Sequence, residues 1–589
     1  MKEFFKMVFA TVVGMLIFTI VTVFIGIMCI VGMVSSSSAT TSVKDNSVLV
    51  LNLSGVLNER AESNLIGELI GNSGNTIGLD EVIDAIRKAK ENDKIKGIYI
   101  EAGMFSASYA SLQEIRDRLA DFRKAGKWIV AYGDIYTQGT YYVSSVANKV
   151  FLNPQGQIDW RGLSAQPFYV KDLLAKFGVK MQVAKVGAYK RATEMFTGDK
   201  MSDANREQVT VYLNGVWDNI CKAVAGSRGI STDSLNAYAD RLLTLEASEN
   251  YKKYKMVDGL IYTNQVKDEV KKLLKLDKDD DINRLGIADM ANVKETRSEG
   301  EEIAIYYAYG NIVDDVAGGM MGDEHVIDAQ EVCKDLEQLM DNDDVKAVVI
   351  RVNSGGGSAY ASEQIWNQVK ELKAKKPVVV SMGDYAASGG YYISCIANWI
   401  VAEPTTLTGS IGIFGMFPDA NELLTQKLGV KFDEVKTNRN SGFGTIVRPF
   451  NDEEMHYLTA YINRGYNLFR SRVADGRKMS VDAVEKIAQG HVWLGQDALK
   501  IKLVDQLGGL EDAIRKAAQL AKIEQYHTNS YPAKKSFLDQ LLSGSAKGDY
   551  LGEYLGQTFS DYVRPLMFLR TFNQQNAIQA RMPFVLNVR

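Results

Sequence analysis

GDIYTQGTYYVSSVANKVFLNP at residues 133–154 and GDYAASGGYYISCIANWIVAEP at residues 383–404 are two versions of one sequence, 250 positions apart. The correspondence continues upstream, where IKGIYI (95–100) matches VKAVVI (345–350) at the same offset. Matches that keep their order over about 200 residues indicate a tandem duplication. The body of the chain is therefore predicted to contain two copies of one fold.

Strand and helix patterns alternate within the second copy. β-branched runs at Val348–Val352 and Val378–Ser381 flank Tyr360–Lys375, whose apolar residues recur at helical spacing. A strand, a helix and a strand in this order predict a βαβ unit, and hence an α/β fold with a parallel sheet. The turn signals 353–357 and 386–390 follow the strands, at the sheet edge where sites form in α/β folds.

The duplication divides the chain into six predicted segments. They are an apolar anchor (8–34), a linker (35–46), a first repeat (47–262), a charged connector (263–300), a second repeat (301–525) and a C-terminal extension without a copy (526–589). The acidic residues of the connector resemble those of a calcium-binding loop, but the glycine of such a loop and a glutamate at the spacing of its last position are missing. We interpret the connector as a solvated linker.

An uncharged stretch of 27 residues, Val8–Val34, lies near the N-terminus. As a helix it would span about 40 Å, enough to cross a hydrocarbon core of about 30 Å with tilt. A cleavable signal peptide is the alternative, although its apolar region is usually only about 7–15 residues. Lys2 and Lys6 before the stretch favour a cytoplasmic N-terminus, which places the remaining chain on the far side of the membrane.

Composition excludes several classes of protein. The chain has 589 residues, 46% of them hydrophobic, and its net charge of −4 comes from 68 basic and 72 acidic side chains. These values are globular, and they lack the basic excess that would indicate a nucleic-acid partner. The four cysteines are far apart and form no C-x-x-C pair, which argues against a disulfide framework or a cysteine zinc site.

The two copies differ where chemistry is expected. Ser388 of the second copy corresponds to Gln138 of the first, and the glycine-rich NSGGG (353–357) corresponds to AGMFS. Conversely, Lys190 of the first copy corresponds to Ser441 of the second. Each copy has a candidate group that the other lacks, which favours one site divided between two halves.

A serine nucleophile requires a base, and a neutral lysine can serve if burial lowers its pKa. Lys190 stands among small and apolar residues that could bury its amine, while His325 and His491 remain alternatives through folding. The glycine turns offer free backbone amides for an oxyanion, with Gly357 and Gly389 as candidates. Plainer interpretations stay open: a helix cap for Ser388, a simple turn for NSGGG and an exposed side chain for Lys190.

Several motifs resemble the long, two-domain form of the signal peptide peptidases of the SppA type. They are MGDYAASGGYYIS (382–394), RVNSGGGSAYASE (351–363), TGSIGIFG (408–415) and VGAYKRATEMF (186–196). The resemblance covers nearly the whole chain and implies a duplicated Clp protease/crotonase fold built of ββα units. One departure is Gly355, where the family usually has proline.

Residue by residue, the resemblance implies a Ser/Lys dyad. Ser388 is the implied nucleophile and Lys190 the general base, while Ser410 orients the lysine amine. Gly357 and Gly389 are the implied oxyanion donors. The family chemistry needs neither a metal nor another cofactor.

The implied function is that of a serine endopeptidase that degrades cleaved signal peptides at the bacterial cytoplasmic membrane. The family also implies a homotetramer around a cavity, an anchoring contact with the lipid bilayer and access for unfolded hydrophobic peptides. Two alternatives remain, a crotonase-like coenzyme A enzyme and a catalytically inactive membrane scaffold.

Overall fold

The computed structural model describes residues 2–37, 40–61, 76–295, 299–315, 325–534 and 578–582. The first element, α1, is a helix at Lys2–Ser37. Residues 2–22 have a mean hydropathy of 2.3 and none of this window is buried against the rest of the protein. By length and composition the helix is therefore a candidate membrane span.

The first repeat is a layered α/β unit. Its elements are β1 (Ser47–Asn58), β2 (Thr76–Gly78), α2 (Leu79–Glu91), β3 (Ile95–Ser106), α3 (Tyr109–Lys124), β4 (Trp128–Tyr136), α4 (Gln138–Ser144), β5 (Lys149–Ile158), α5 (Lys171–Phe177), β6 (Lys180–Lys185), α6 (Glu194–Thr197), α7 (Asp203–Arg228), α8 (Thr232–Asp240), a 3-10 turn (Leu243–Leu245), α9 (Ser248–Lys253) and β7 (Gly259–Leu260). Strands β2-β1-β3-β4-β5-β7 form a parallel sheet in that order. The inward face of this sheet carries apolar side chains such as Leu49, Leu51 and Leu53, which the flanking helices cover.

The predicted solvated connector is wrong for its described part. This part contains α10 (Thr263–Leu274), β8 (Asn283–Leu285) and α11 (Ile287–Ala291). Val266, Val270 and Leu274 recur every four residues along α10, so they form one apolar stripe, and this stripe is buried against the first sheet. Strand β8 then pairs in parallel with β1.

The second repeat has the same layered organisation. Its elements are β9 (Glu301–Tyr309), β10 (Asn311–Val313), β11 (Val326–Asp328), α12 (Ala329–Asp341), β12 (Val345–Ser354), β13 (Gly356–Ser358), α13 (Ala359–Lys375), β14 (Val378–Ala387), α14 (Gly389–Ser394), β15 (Trp399–Ala402), β16 (Leu407–Gly409), β17 (Phe414–Asp419), a π-helical turn (Leu423–Lys427), α15 (Asp452–Arg477), α16 (Val481–Ile487), β18 (Val492–Leu494), α17 (Gly495–Lys500), β19 (Gln506–Leu507), α18 (Leu510–Ala521) and β20 (Tyr526–Tyr531). Its sheet runs β18-β16-β14-β12-β9-β20, with β15 beside β14. The order β12, α13, β14 confirms the βαβ prediction, and β12 pairs with β14 in parallel.

A third sheet joins the two repeats. Its order is β11-β10-β13-β21-β17-β6, where β21 (Ile578–Arg581) comes from the C-terminal extension. Strand β6 of the first repeat pairs antiparallel with β17 of the second over Lys180–Lys185. This pairing carries the loop that follows β6 into the second repeat. Of the extension predicted at 526–589, the structure describes residues 526–534, whose strand β20 completes the sheet of the second repeat beside β9, and residues 578–582, which contain β21.

A buried ion cluster also connects the halves. The guanidinium of Arg351, on β12, donates to Glu59 at 2.6 Å and to Glu114 at 2.9 Å, both in the first repeat, and to Ser381 at 3.0 Å. The amide of Asn353 donates to the other oxygen of Glu59 at 2.8 Å. Burial raises the pKa of Glu59, although Arg351 acts in the opposite direction. The cluster fixes the relative placement of the halves close to the glycine turn at 353–357.

Candidate active site

A lysine of the first repeat meets a serine of the second in the protein interior. The Nζ atom of Lys190 lies 2.7 Å from Oγ of Ser388. Nζ also donates to the carbonyl oxygen of Ser410 at 3.1 Å and lies 3.2 Å from its Oγ. All three residues are completely buried. Residues that are 198 positions apart are thus assembled into one hydrogen-bonded group.

The turn between β14 and α14 aims the serine. Ser388 has φ 56° and ψ −112°, a conformation that is uncommon for a residue with a side chain. Its amide donates to the carbonyl of Gly409 at 2.8 Å, and its own carbonyl accepts from the amide of Tyr392 at 2.8 Å. Ser388 occupies the first position before the helix, but its hydroxyl faces Lys190 instead of capping the helix. Backbone strain of this kind persists only where the surrounding structure imposes it.

Ser410 is held by its backbone in the same way. Its φ is 49°, and its amide donates to the carbonyl of His491 at 2.7 Å. The residue directly before it, Gly409, is the acceptor for Ser388. A single turn after β16 therefore positions both the serine nucleophile candidate and the acceptors around the lysine amine.

Lys190 reaches this position because its loop packs against a second turn. The amide of Tyr189 donates to the carbonyl of Gln489 at 2.9 Å. A side chain on Gly490, whose φ is +80°, would lie 2.6 Å from the Lys190 backbone nitrogen. This close approach requires glycine at 490.

Burial lowers the pKa of Lys190 well below its ordinary value. The cause is the loss of water around the ammonium, which disfavours the charged form. The amine is then neutral over part of the pH range where an exposed lysine carries a proton. A neutral amine 2.7 Å from a hydroxyl can accept the hydroxyl proton.

The glycine turn of the second repeat adjoins the residue that follows Ser388. Gly356 has φ +100°, and a side chain there would lie 2.7 Å from the amide nitrogen of Gly389. At Gly357, on β13, a side chain would lie 2.1 Å from the carbonyl oxygen of Ile312. The glycine turn thus approaches Gly389, the residue after Ser388, and Gly357 follows directly after the closest glycine of that turn.

The equivalent place in the first repeat is filled by an amide side chain. Gln138 donates to the hydroxyl of Tyr109 at 2.9 Å, and its Oε1 accepts from the backbone amides of Arg161 and Gly162 at 3.2 and 3.1 Å. Ser441, the counterpart of Lys190, is exposed and bonds to the carbonyl of Asn438. The asymmetry between the copies thus corresponds to two different environments.

The alternative bases occupy other places. His325 stacks on Tyr309, with ring centroids 3.6 Å apart. The ring of His491 stacks on Trp493 and is tilted by 59° against Tyr189. His491 approaches the site through its carbonyl, and burial lowers the pKa of its ring.

Sequence reasoning missed two parts of this site. One is the pair of backbone carbonyls at Gly409 and His491, which carry no side-chain signal. The other is strand β21, which pairs with β13 over Gly356–Ser358 and belongs to an extension without an internal copy. The alternation of apolar Ile578, Ala580 and Met582 was the available signal for a strand.

Comparison with known families agrees with the duplicated architecture. The model of peptidase family S49 matches residues 121–277 and again residues 370–524, which together are more than half of the chain. The Clp protease model matches residues 303–399. The two matches to the S49 model cover corresponding parts of the two repeats.

Curated relatives match over most of their length. Protease 4 of Salmonella typhi is 36% identical over 541 residues, covering 89% of this chain and 85% of that protein. Protease 4 of Haemophilus influenzae is 34% identical and covers 91% of both chains. The chloroplastic serine protease SPPA of Arabidopsis thaliana is 31% identical, covering 82% of this chain and 70% of the relative. With its duplicated α/β fold and these matches, the chain belongs to peptidase family S49 and is a serine protease.

Proposed function

We propose that the protein is a membrane-anchored endopeptidase in which Ser388 and Lys190 form the catalytic dyad. The observation that carries the proposal is the 2.7 Å contact between Oγ and Nζ inside a fully buried group. The lowered pKa of Lys190 supports its role as the base. The proposed substrates are cleaved signal peptides and other unfolded hydrophobic peptides.

The reaction is acyl transfer in two stages. Neutral Lys190 accepts the Ser388 proton while Oγ bonds to the carbonyl carbon of the substrate. The resulting ammonium then gives its proton to the leaving amine, and the acyl group stays on Ser388. In the second stage Lys190 takes a proton from water, and the hydroxide adds to the acyl carbon. The ammonium then returns this proton to Oγ of Ser388 as the acyl–Oγ bond breaks, so the acid product leaves and the neutral amine is restored. Ser410 orients the amine through the hydroxyl and carbonyl oxygens that surround Nζ.

The amides of Gly357 and Gly389 are the proposed donors to the oxyanion. Their support is the close approach of the glycine turn to the residue after Ser388. Donors fixed by the backbone need little reorganisation as negative charge develops on the carbonyl oxygen.

The apolar helix α1 supports a location at a membrane. We propose a single-pass protein of the bacterial cytoplasmic membrane, with the N-terminus cytoplasmic and the two repeats on the extracytoplasmic side. Lys2 and Lys6 at the start of the helix support this orientation. A homotetramer is the proposed assembly, in line with the resemblance described above.

The test compares full-length variants purified in detergent micelles. A quenched fluorescent signal peptide and an unfolded soluble protein serve as substrates, and a fluorophosphonate probe reports a reactive serine. We expect Ser388→Ala and Lys190→Ala to abolish cleavage of both substrates, and Ser388→Ala to abolish probe labelling. Gln138→Ala is the matched control, because it alters the corresponding position of the other repeat, and it should retain activity.

Near-normal turnover in Ser388→Ala would refute the dyad. Retained turnover of the soluble protein without cleavage of the signal peptide would refute the proposed substrate class but leave the dyad intact. Failure of the wild-type protein to react with the probe would favour an inactive scaffold.

A further inference from the structure

A piece of the C-terminal extension lies in the third sheet beside Gly389, the residue that follows Ser388. Strand β21 runs antiparallel to β13, with Gly357 opposite Ala580 and Gly356 opposite Arg581. On its other side it pairs antiparallel with β17, where Phe414 lies opposite Gln579. The segment therefore fills the space between the glycine turn and the strand that leads away from the site. An extended peptide held by both neighbours is the arrangement expected of a bound protease substrate.

The hydrogen-bond pattern assigns an orientation to the Ala580 carbonyl. The amide of Met582 donates to the carbonyl of Gly355 at 2.6 Å. In an antiparallel pair, residues that exchange hydrogen bonds recur at every second position. Gly355 lies opposite Met582, and Gly357 lies opposite Ala580 two residues further along the strand. Gly357 and Ala580 are therefore also a pair whose backbones exchange hydrogen bonds. The amide of Gly357 is directed at the carbonyl oxygen of Ala580.

The same carbonyl oxygen lies beside the second candidate donor. A side chain built on Gly389 would lie 3.1 Å from the Ala580 oxygen, and one on Gly356 would lie 2.0 Å from it. The same side chain built on Gly356 would lie 2.7 Å from the Gly389 amide nitrogen. The Ala580 carbonyl therefore occupies the corner where the two proposed oxyanion donors meet, next to the residue that follows Ser388.

The side chains of the segment fit their surroundings. Ala580 is completely buried, and Met582 is 8% exposed and packs into the first hydrophobic core. The guanidinium of Arg581 donates to the side-chain oxygen of Asn311 at 2.6 Å. We call the space between β13 and β17 that holds residues 578–582 the seat. It accepts a small side chain on the residue whose carbonyl faces the proposed donors, and a long polar side chain on the next residue.

We propose that residues 578–582 are bound by the chain's own active site as a substrate, and that Ala580–Arg581 is the peptide bond presented to Ser388. This rests on the proposed Ser388/Lys190 function. Oγ of Ser388 would bond to the carbonyl carbon of Ala580, and the bond to the Arg581 nitrogen would break. The Ser388 proton passes through Lys190 to the new amine. Residues 581–589 leave with this amine. Water then adds to the acyl group on Ser388 and releases a chain that ends in the Ala580 carboxylate.

The tether is long enough for a segment of the same chain to reach the seat. Forty-three residues, 535–577, separate the last described residue after β20 from β21. At about 3.3 Å per extended residue they could span about 140 Å. Attachment also keeps the segment at a high local concentration, so external peptides must compete with it.

The first experiment measures occupancy without catalysis. Full-length Ser388→Ala protein, the same protein lacking 578–589, and Ser388→Ala proteins with Ala580→Trp or Val588→Trp are titrated with a fluorescent peptide covering 575–585. Because a tethered segment competes at high effective concentration, we expect the Kd of the peptide to be at least about tenfold higher for the full-length protein than for the truncated one. Ala580→Trp should bind like the truncated protein, because the buried alanine leaves no room for an indole. Val588→Trp is the matched control and should bind like the full-length protein.

The second experiment follows the mass of the full-length wild-type protein during incubation, alongside cleavage of an unfolded protein. We expect loss of residues 581–589 at a rate independent of protein concentration, and no loss in Ser388→Ala or Ala580→Trp. Equal affinity of the peptide for full-length and truncated Ser388→Ala proteins would overturn the claim that residues 578–582 occupy the active site. A wild-type chain that cleaves the unfolded protein but keeps its last nine residues would overturn the assignment of the Ala580–Arg581 bond.

Two further outcomes separate the parts of the proposal. A rate that rises in proportion to protein concentration would show that one chain cuts another, which contradicts the assignment to the chain's own site. A wild-type protein that cleaves neither itself nor the unfolded protein would count against the Ser388/Lys190 function, while the binding measurements would still decide whether the segment is seated.

Discussion

Replacing Lys190 with methionine tests whether its buried, neutral amine is the general base of the reaction. Methionine is unbranched and apolar, so it can follow the same path past Gly412 and Gly490 without creating a large cavity. The change removes the atom that lies 2.7 Å from Oγ of Ser388. The proposed nucleophile, Ser388, and the glycine amides remain.

General-base catalysis contributes about 10²–10⁴ in rate, which corresponds to about 2.7–5.4 kcal/mol of transition-state stabilisation. We expect kcat/KM of Lys190→Met to fall by at least the lower of these factors. In the wild-type protein, kcat/KM should rise tenfold per pH unit at low pH and level off once Lys190 is neutral. Since burial lowers the pKa of Lys190, this plateau begins below the pH of about 10.4 that an exposed lysine would require.

The assay is a pH series of kcat/KM with a fluorescent signal peptide, for the wild-type protein, Lys190→Met and Lys185→Met. Lys185 ends β6 and is half-buried, so its replacement is a matched loss of a nearby lysine. Because burial rather than a neighbouring charge causes the Lys190 shift, Lys185→Met should keep the wild-type pH profile. A wild-type profile that rises only near pH 10.4, or a Lys190→Met protein that keeps both its rate and its profile, would refute the reasoning.

Three other substitutions test the surroundings of the dyad. Ser410→Ala removes one hydrogen bond, worth about 0.5–1.5 kcal/mol, so kcat/KM should fall about 2- to 13-fold. Because the lost hydroxyl is an acceptor for the ammonium, the acid limb should also move to lower pH; a shift to higher pH would contradict its orienting role. Gly357→Ala places a methyl group 2.1 Å from the Ile312 carbonyl oxygen. Because this displaces one proposed oxyanion donor, kcat should fall by about 10²–10³. Gly355→Ala is the control, since a methyl group has room there, and it should retain activity. Arg351→Met strips two buried carboxylates of their partner and should destabilise the protein by roughly 3–5 kcal/mol, seen as a lower midpoint of thermal unfolding that Glu59→Gln partly restores.

The duplicated fold could be predicted because a repeat is visible in sequence without knowledge of any contact. The pairing of Lys190 with Ser388 was also accessible, since each copy lacks what the other retains. The connector was misjudged because its charges dominate the composition, whereas three apolar residues on α10, at every fourth position, decide that it packs. Charge on one helix face does not oppose burial of the other.

Other features had no signal in the sequence. The antiparallel pairing of β6 with β17 is non-local, and it depends on how the two repeats dock rather than on the propensity of either strand. The turn geometry at Ser388 and Ser410, both with positive φ, is imposed by backbone acceptors at Gly409 and His491. Such acceptors are present in every residue, so their selection appears only in the folded chain.

The division of the proposed dyad between the repeats has a consequence for synthesis of the protein. Lys190 leaves the ribosome long before Ser388, and the turns that pack against Lys190, at Gly412 and Gly490, are made later still. Until those turns fold, the amine is in water and keeps a proton, because the pKa of an exposed lysine is about 10.4. A nascent chain, or one that ends early, holds an ammonium where a base is needed. If the proposed dyad is the catalytic one, proteolytic activity therefore arises only in the nearly finished polypeptide.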